Sequence, residues 1–260
     1  RYLGNSVDVN RGVISATRGN HGQSIAHAAS RFGMAATIVV PHGNSIEKNA
    51  AMRAWGAEVI EHGDDFQEAA EFAAKHATNE DLVMIPPFHR ELVRGVATYG
   101  LELFDAVSGL DRVYVPVGMG SGICSLITAR DALGLETEII GVVASGADAI
   151  AQSFKAGKVV ETTAARTFAD GVACRSPNPS ALDIILKGAA DIVTVDEEQI
   201  RDAMRLYFSS CHTVAEGAGA VPLAAAIAGR DDNIGKKVAV ILTGANIDRA
   251  EYARILAGDI

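Results

Sequence analysis

Nine residues near the start of the chain could bind a carboxylate or a phosphate. The run Ser15–Gln23 (SATRGNHGQ) follows the strand-like run 12–15 and opens a helical pattern that extends to about residue 32. Ligands of open α/β sheets bind beyond the carboxyl ends of the strands. The N–H groups and the dipole of a helix start attract anions there. The spacing alone equally allows a glycine-rich turn with an asparagine cap.

A second loop of this kind is Val117–Gly122 (VGMGSG), again between a strand pattern and a helix pattern. Three glycines within five residues let backbone N–H groups approach an anion closely, as in a phosphate-binding loop. The dinucleotide fingerprint G-x-G-x-x-G would require glycine at position 123, which is Ile123. A tight turn with close helix–strand packing is the alternative interpretation.

Two shorter motifs lie further along the chain. The run 243–246 (TGAN) follows the strand pattern 238–242 and places the Thr243 hydroxyl at the carboxyl edge of a sheet. The run 216–220 (EGAGA) places Glu216 before a row of small residues at a helix start. Taken singly, an ordinary turn and a charge that complements the helix dipole explain these two motifs.

Short apolar runs that do not alternate with polar residues are separated by helical patterns throughout the chain. This alternation of strand and helix patterns predicts parallel sheets covered on both faces, and therefore an α/β fold with two domains. We place residues 12–88 in a small βα domain and residues 1–11 and 89–260 in a large one. The predicted strands are 12–15, 36–40, 58–60, 82–85, 111–117, 138–143 and 238–242. The predicted helices are 22–32, 45–55, 64–75, 92–104, 123–133, 180–187, 197–211 and 215–228.

Composition excludes several classes of protein. The chain has 260 residues and a net charge of −9, so its surface repels phosphate backbones and nucleic-acid binding is not expected. Three widely spaced cysteines favour a reducing, cytoplasmic environment over a disulfide framework or a zinc site. The sequence contains no run of 18 or more apolar residues, so no membrane span is predicted.

The four motifs, taken in order, resemble those of pyridoxal-phosphate enzymes of fold type II, the tryptophan-synthase β-subunit type. Ser15–Gln23 is similar to that family's S-x-G-N-H-x-Q loop, and 117–122 to its glycine-rich phosphate loop. The runs 216–220 and 243–246 resemble its glutamate-containing segment and its S-G-G-N turn. The resemblance covers essentially the whole chain, and the threonine/serine dehydratases are the most similar group. It implies the cofactor pyridoxal 5′-phosphate and two domains, each a mostly parallel sheet flanked by helices.

The resemblance also implies roles for individual residues. Asn20 would bond the 3′-oxygen of the cofactor ring, and Thr243 would face the ring nitrogen. The cofactor phosphate would be bound by the backbone N–H groups of five consecutive residues: Gly118, Met119, Gly120, Ser121 and Gly122. The remaining residues would contact the substrate, whose carboxylate would lie on the 17–21 loop: Thr17, Arg18, Gly19, His21 and Glu216.

The activity implied is α,β-elimination from a 3-hydroxy amino acid such as L-threonine or L-serine, giving a 2-oxo acid and ammonia. A neutral hydroxyl at position 243 does not hold the ring nitrogen protonated, which suits elimination better than transamination. The binding partner implied is therefore a small amino-acid substrate. Members of the family are usually oligomers, often dimers, so a homo-oligomer is expected.

The Schiff-base lysine is the main departure from the family pattern. The family carries it in an S-F-K-x-R-G segment upstream of the S-x-G-N-H loop, whereas all seven lysines of this chain follow that loop. We therefore assign no catalytic residue to this chain and expect the lysine upstream of Arg1. The alternative is a non-catalytic homologue that binds a ligand without the lysine.

Arg18 and the metal site are two further departures. Racemases of the family carry serine at the position of Arg18, where it acts as a base, and an arginine does not deprotonate. We therefore expect elimination rather than racemisation, with Arg18 available for a second substrate carboxylate, as in hydroxyaspartate, or for a bulkier acid. A solvent-facing or carboxylate-paired structural arginine is the equal alternative for this position. A dehydratase for another hydroxylated substrate, hydroxyaspartate or one derived from hydroxyectoine, is an alternative function. The stretch 143–149 has Val143 and Ala149 where metal-activated members have acids, so no divalent metal is expected. A dinucleotide-dependent oxidoreductase is the remaining alternative and rests on the glycine-rich turn alone.

Overall fold

The computed structural model describes residues 10–260, and these form two compact units. The small unit comprises residues 10–91 together with Asn246–Tyr252, and the large unit comprises Leu92–Ala245 with Ala253–Ile260. The strands are β1 (Val13–Ala16), β2 (Ala36–Val40), β3 (Glu58–Glu61), β4 (Val83–Met84), β5 (Arg112–Pro116), β6 (Glu138–Ala144), β7 (Asp191–Val195) and β8 (Val238–Val240). The helices are α1 (Asn20–Arg31), α2 (Ile46–Ala54), α3 (Phe66–Asn79), α4 (Arg90–Ala106), α5 (Ser121–Ala132), α6 (Ala149–Ala156), α7 (Pro179–Gly188), α8 (Glu197–Cys211), α9 (Gly217–Ala228) and α10 (Arg249–Ala257).

The small unit contains a four-stranded parallel sheet in the order β3-β2-β1-β4. Its central strands are buried on both faces, because one apolar cluster includes Val13 and Ile38 and a second, separate cluster includes Ile14 and Val39. Coverage on both faces explains why the sequence of these strands is apolar without alternation.

The large unit repeats this arrangement with the parallel order β7-β6-β5-β8. The middle of β5 is almost completely buried, as are six of the seven residues of β6. The predicted fold class, two α/β domains with parallel sheets, is therefore confirmed.

Each sheet has one point at which the strand order reverses. In the small unit the chain moves from β1 outward to β2 and β3, and then returns to the other side of β1 as β4. In the large unit it moves from β5 to β6 and β7, and returns as β8. Ligands of open α/β sheets bind at the carboxyl edge beside such a reversal. The loops that follow β1, β5 and β8 carry the predicted motifs, so the topology places all three motifs at that kind of edge.

The domain boundaries differ from those expected from the sequence. The division falls between Glu91 and Leu92, three residues later than the predicted boundary. Residues 246–252, which the sequence analysis assigns to the large domain, belong to the small unit, where the Asp248 carboxylate accepts hydrogen bonds from the start of α2. Arg11 also lies in the small unit, where it pairs with Asp81 at 2.9 Å. Residues 1–9 lie outside the described part of the chain.

Three elements were not predicted from the sequence, namely β7, α6 and α10. Strand β7 (DIVTV) has only two buried residues, Ile192 and Val195, because it lies at the sheet edge. Such a short, half-polar run carries little apolar signal. Within residues 10–260, no helix has both the length and the apolar character needed to cross a membrane.

Candidate active site

The loop after β1 is shaped by its own side chains. The Thr17 hydroxyl accepts a hydrogen bond from the Gly19 N–H at 2.9 Å, which turns the chain into α1. Gly19 is the N-cap of α1 and offers no side-chain acceptor to the first turn of the helix. The first turn of α1 also lacks an acidic residue, so its N–H groups and dipole favour an incoming carboxylate.

His21 is a neutral, half-buried member of this loop. Burial lowers the pKa of its imidazole from 6.5 to about 4, an effect that a hydrogen bond with the Pro86 backbone opposes. Proline has no N–H, so the ring must donate to the Pro86 carbonyl. The Nε2 atom is buried without a hydrogen-bond partner, so Nδ1 is the donor and Nε2 is left as an acceptor. His21 therefore supplies polarity without positive charge.

Two buried polar side chains brace the loop from neighbouring elements. The Ser15 hydroxyl, fully buried, donates to the Ile85 carbonyl at 2.8 Å and so links the end of β1 to the segment after β4. The stem of Lys48, on α2, covers Gly19 so closely that a Cβ atom on this glycine would lie 2.5 Å from the lysine Cδ atom. Gly19 thus provides the space for a buried lysine stem, a contact that the sequence did not predict.

Asn20 is the first residue of α1, and Arg18 lies half-buried before it. The Asn20 Oδ1 atom accepts a hydrogen bond of 2.6 Å from the Nδ2 atom of Asn246. The predicted residues Thr17, Arg18, Gly19, Asn20 and His21 therefore lie in one continuous loop, joined by a residue more than two hundred positions later in the sequence.

The loop after β5 is shaped by backbone contacts. A Cβ atom on Gly118 would overlap the carbonyl oxygen of Gly171. Gly120 has φ of +99°, in the left-handed region that favours glycine, and is the N-cap of α5. Since Gly120 has no side chain to cap the helix, the N–H groups of the first turn of α5 can face an anion. A phosphate fits this arrangement of donors.

The sequence did not indicate the segment that packs against this loop. Residues Asp170–Val172 form a short 3₁₀ turn, and Gly171 lies against both Gly118 and Ala218. Phe168 and Ala169 lie within 3.0 Å of the position that a Cβ on Gly217 would take. One segment thus contacts both the 117–122 loop and the 216–220 run. The pair Asp170-Gly171 is a turn signal that could have marked it.

The last two predicted residues of the large unit are connected through Gly244. Thr243 is exposed beyond β8, the strand that neighbours β5 in the sheet. Glu216 is buried, with 5% of its surface exposed, and its N–H donates to the Gly244 carbonyl at 3.1 Å. A Cβ on Gly219 would lie 2.6 Å from the same carbonyl oxygen. The Thr243-Gly244 turn therefore packs directly against the start of α9.

The stretch 143–149, where the sequence predicts no metal ligands at the two ends, is apolar at both ends. Val143 and Ala149 are completely buried, and the Asp148 carboxylate accepts from Gln152 at 2.8 Å. Among residues 10–260 there is no group of three histidine, cysteine, aspartate or glutamate side chains arranged to hold a metal ion.

Each of the two parallel-sheet units has a glycine-containing loop beside its strand reversal, the position at which α/β folds of this class bind their ligands. The backbone N–H groups at the start of α5 are donors that could accommodate a small phosphorylated molecule. The family model for pyridoxal-phosphate dependent enzymes matches residues 6–244. This chain belongs to the pyridoxal-phosphate dependent enzyme family, as the four motifs predicted.

Individual relatives agree with this membership. The chain is 36% identical over 247 residues to an L-threonine ammonia-lyase of Thermotoga maritima, and the match covers 95% of this chain and 61% of that protein. It is 30% identical to an L-threo-3-hydroxyaspartate ammonia-lyase of Saccharomyces cerevisiae, covering 95% of this chain and 76% of that one. The solved structure of threonine deaminase isoform 2 from Solanum lycopersicum superposes with a TM-score of 0.88 at 31% identity, covering 95% and 74%.

Proposed function

We propose that the protein containing this chain is a pyridoxal-phosphate-dependent lyase that eliminates the hydroxyl group and then the amino group of a 3-hydroxy amino acid. Threonine and serine are the first candidate substrates. The observation that carries the proposal is the Gly118–Gly122 loop, whose glycines and uncapped helix start suit a phosphate. The relatives named above as ammonia-lyases support the reaction class.

When bound, the cofactor withdraws electrons from the substrate α-carbon, which allows a proton there and a β-substituent to leave. The chain's own residues would hold and orient the reacting groups. Backbone N–H groups from Gly118 to Gly122 would bind the phosphate, and those of the Thr17–His21 loop the substrate carboxylate. Asn20 would donate to the ring 3′-oxygen and Thr243 would face the ring nitrogen with a neutral hydroxyl. The buried Glu216, at the start of α9, would contact the substrate.

The 118–122 loop contains no charged side chain, so a phosphate there would be bound by N–H dipoles alone. In the 17–21 loop His21 is held neutral, and Arg18 is the cationic side chain. The Schiff-base lysine, in this proposal, is a residue upstream of Arg1, since the family's lysine segment precedes the loop that matches Ser15–Gln23.

The test is turnover by the full-length protein. We expect the holoenzyme to release a 2-oxo acid and ammonia in equal amounts from L-threonine or L-serine. Cofactor uptake without product from any 3-hydroxy amino acid would contradict the proposal and favour the non-catalytic homologue. Formation of D-serine from L-serine at a rate comparable to elimination would contradict the assignment of Arg18 as a residue that is not a base.

A dicarboxylic substrate is the second candidate, because Arg18 lies in the loop proposed to bind the substrate carboxylate. The relative named as a hydroxyaspartate ammonia-lyase favours it as well. If L-threo-3-hydroxyaspartate is the substrate, Arg18→Gln should lower kcat/KM for it at least about tenfold, the value of one lost charge-assisted hydrogen bond. The same variant should leave kcat/KM for L-threonine within about twofold.

We further propose that the protein is a cytoplasmic homodimer. Three free cysteines, of which Cys124 and Cys174 are buried, suit a reducing compartment. Size-exclusion chromatography with light scattering on the full-length protein measures the oligomeric state directly.

A further inference from the structure

Asn246 ends the 243–246 turn and lies next to Asn20. Its Nδ2 atom donates to the Oδ1 atom of Asn20 at 2.6 Å, across 226 positions of sequence. Both residues belong to the small unit. Asn246 therefore contacts the residue proposed to bond the cofactor ring oxygen.

The backbone that follows Asn246 is held to the start of α2, within the small unit. Two residues later, the Asp248 carboxylate accepts from the N–H groups of Ile46 and Glu47, each at 3.3 Å, and from the Ser45 hydroxyl. The Arg249 N–H donates to the Glu47 carboxylate at 3.1 Å. These bonds fix the segment that carries Asn246 relative to the sheet and helices of the small unit.

An asparagine amide has an acceptor end and a donor end, and its neighbours decide which end faces which way. Because Asn246 donates, it engages the acceptor end of Asn20. The donor end, Nδ2, is then the end of Asn20 turned away from Asn246. A pyridine-ring oxygen is an acceptor, so it needs the donor end of Asn20.

We propose that Asn246 is a positioning residue that fixes the orientation of the Asn20 amide, so that Asn20 presents a donor to the cofactor ring oxygen. The proposal rests on the proposed function, because it needs a bound cofactor. It also gives the 243–246 turn two tasks in four residues, one through Thr243 and one through Asn246.

The decisive variant is Asn246→Asp. A carboxylate can only accept, so it engages the Asn20 Nδ2 atom and reverses the amide, directing Oδ1 toward the ring oxygen. We expect the dissociation constant for pyridoxal phosphate, titrated into cofactor-free full-length protein, to rise about tenfold, and the visible absorption band of the bound cofactor to shift. Asn246→Ala leaves the Asn20 amide able to rotate, and we expect a smaller rise of about threefold.

Asn79→Asp is the matched control, because it makes the same chemical change at an exposed position at the end of α3. It should alter neither the cofactor affinity nor the absorption band. The melting temperature of the cofactor-free protein should be nearly the same for Asn246→Asp and Asn246→Ala, since the effect acts on the cofactor and not on folding.

The outcomes separate this inference from the proposed function. If the wild-type protein takes up no pyridoxal phosphate, the proposed function fails and the positioning role fails with it. If the wild type binds the cofactor and Asn246→Asp binds it as well as Asn246→Ala does, with an unshifted band, the orienting role is overturned while the proposed function stands.

Discussion

The two units place a loop of the candidate site at the same point of the same strand order, but they shape it by different means. In the small unit, side chains shape the loop after β1: the Thr17 hydroxyl, the neutral His21 ring and the Lys48 stem. In the large unit, backbone shapes the loop after β5, where Gly118 lies against the Gly171 carbonyl. The loop shaped by backbone therefore has no room for an added atom at Gly118, whereas the loop shaped by side chains contains a group that responds to pH, His21.

The largest expected effect comes from Gly118→Ala in the large unit. The new methyl group would overlap the Gly171 carbonyl oxygen, which is backbone and cannot rotate away, so the loop itself must move. We expect the affinity for pyridoxal phosphate to fall at least about 100-fold, roughly 3 kcal/mol. Titration of the cofactor into the cofactor-free full-length protein measures it.

Gly95→Ala is the control for this prediction. Gly95 is exposed in α4 and no atom lies within 4 Å of its Cβ position. Alanine there should leave cofactor affinity unchanged and raise the free energy of unfolding by about 1 kcal/mol, the gain in helix propensity. Wild-type affinity in Gly118→Ala would mean that the phosphate binds elsewhere.

The second largest effect is a dependence of the free energy of unfolding on pH, which arises from His21 in the small unit. The pKa of His21 is about 4 in the folded chain, against an ordinary value of 6.5. Between pH 4 and pH 6.5 the imidazole is therefore protonated in the unfolded chain and neutral in the folded chain. Stability is therefore fully present above pH 6.5 and is lost as the pH falls toward 4. We expect about 2 kcal/mol of this loss between pH 7 and pH 5.

Urea unfolding of His21→Gln at the two pH values checks this. The variant should show a smaller difference in the free energy of unfolding than the wild type, by about 2 kcal/mol. His42→Gln, at an exposed position, should retain the wild-type difference. Equal differences for wild type and His21→Gln would show that another group carries the pH dependence.

The smallest expected effect is a loss of stability when Asp248, which caps the start of α2, is replaced. Asp248→Ala removes the acceptor of the Ile46 and Glu47 N–H groups at the start of α2. We expect a loss of about 1 kcal/mol in the free energy of unfolding, as for other helix caps, and faster hydrogen exchange at these two amides. Asp105→Ala, at an exposed position in α4, is the control. Unchanged exchange at Ile46 would contradict the capping role.

Much of the fold could be predicted because strands buried on both faces leave an apolar signature. All seven strands expected from the sequence are present, and the order of the motifs identified the family. The edge strand β7 was not predicted, since two buried residues among five do not make a pattern. The helices α6 and α10 were not predicted either, and each has fewer than ten residues.

The candidate site was predictable where chemistry follows from a local motif, and not where it depends on a distant contact. The loops 15–23 and 117–122 could be recognised from glycine spacing and position after a strand. Nothing local to Gly118 indicates that Gly171 will lie against it, and nothing local to Asn20 indicates Asn246. The depressed pKa of His21 likewise arises from burial beside Pro86, which only the folded chain brings about.

The cap on α2 has a consequence for how the chain is made. The Ser45 hydroxyl and the Asp248 carboxylate that meet at this helix are separated by 203 residues. During synthesis on the ribosome, the sheet of the small unit can assemble as soon as β4 has emerged, but its α2 helix then starts without its carboxylate. Asn20, in the 17–21 loop, also lacks its partner Asn246 at that stage. The small unit is therefore completed last, by residues translated after nearly all of the large unit, although most of its chain is made first.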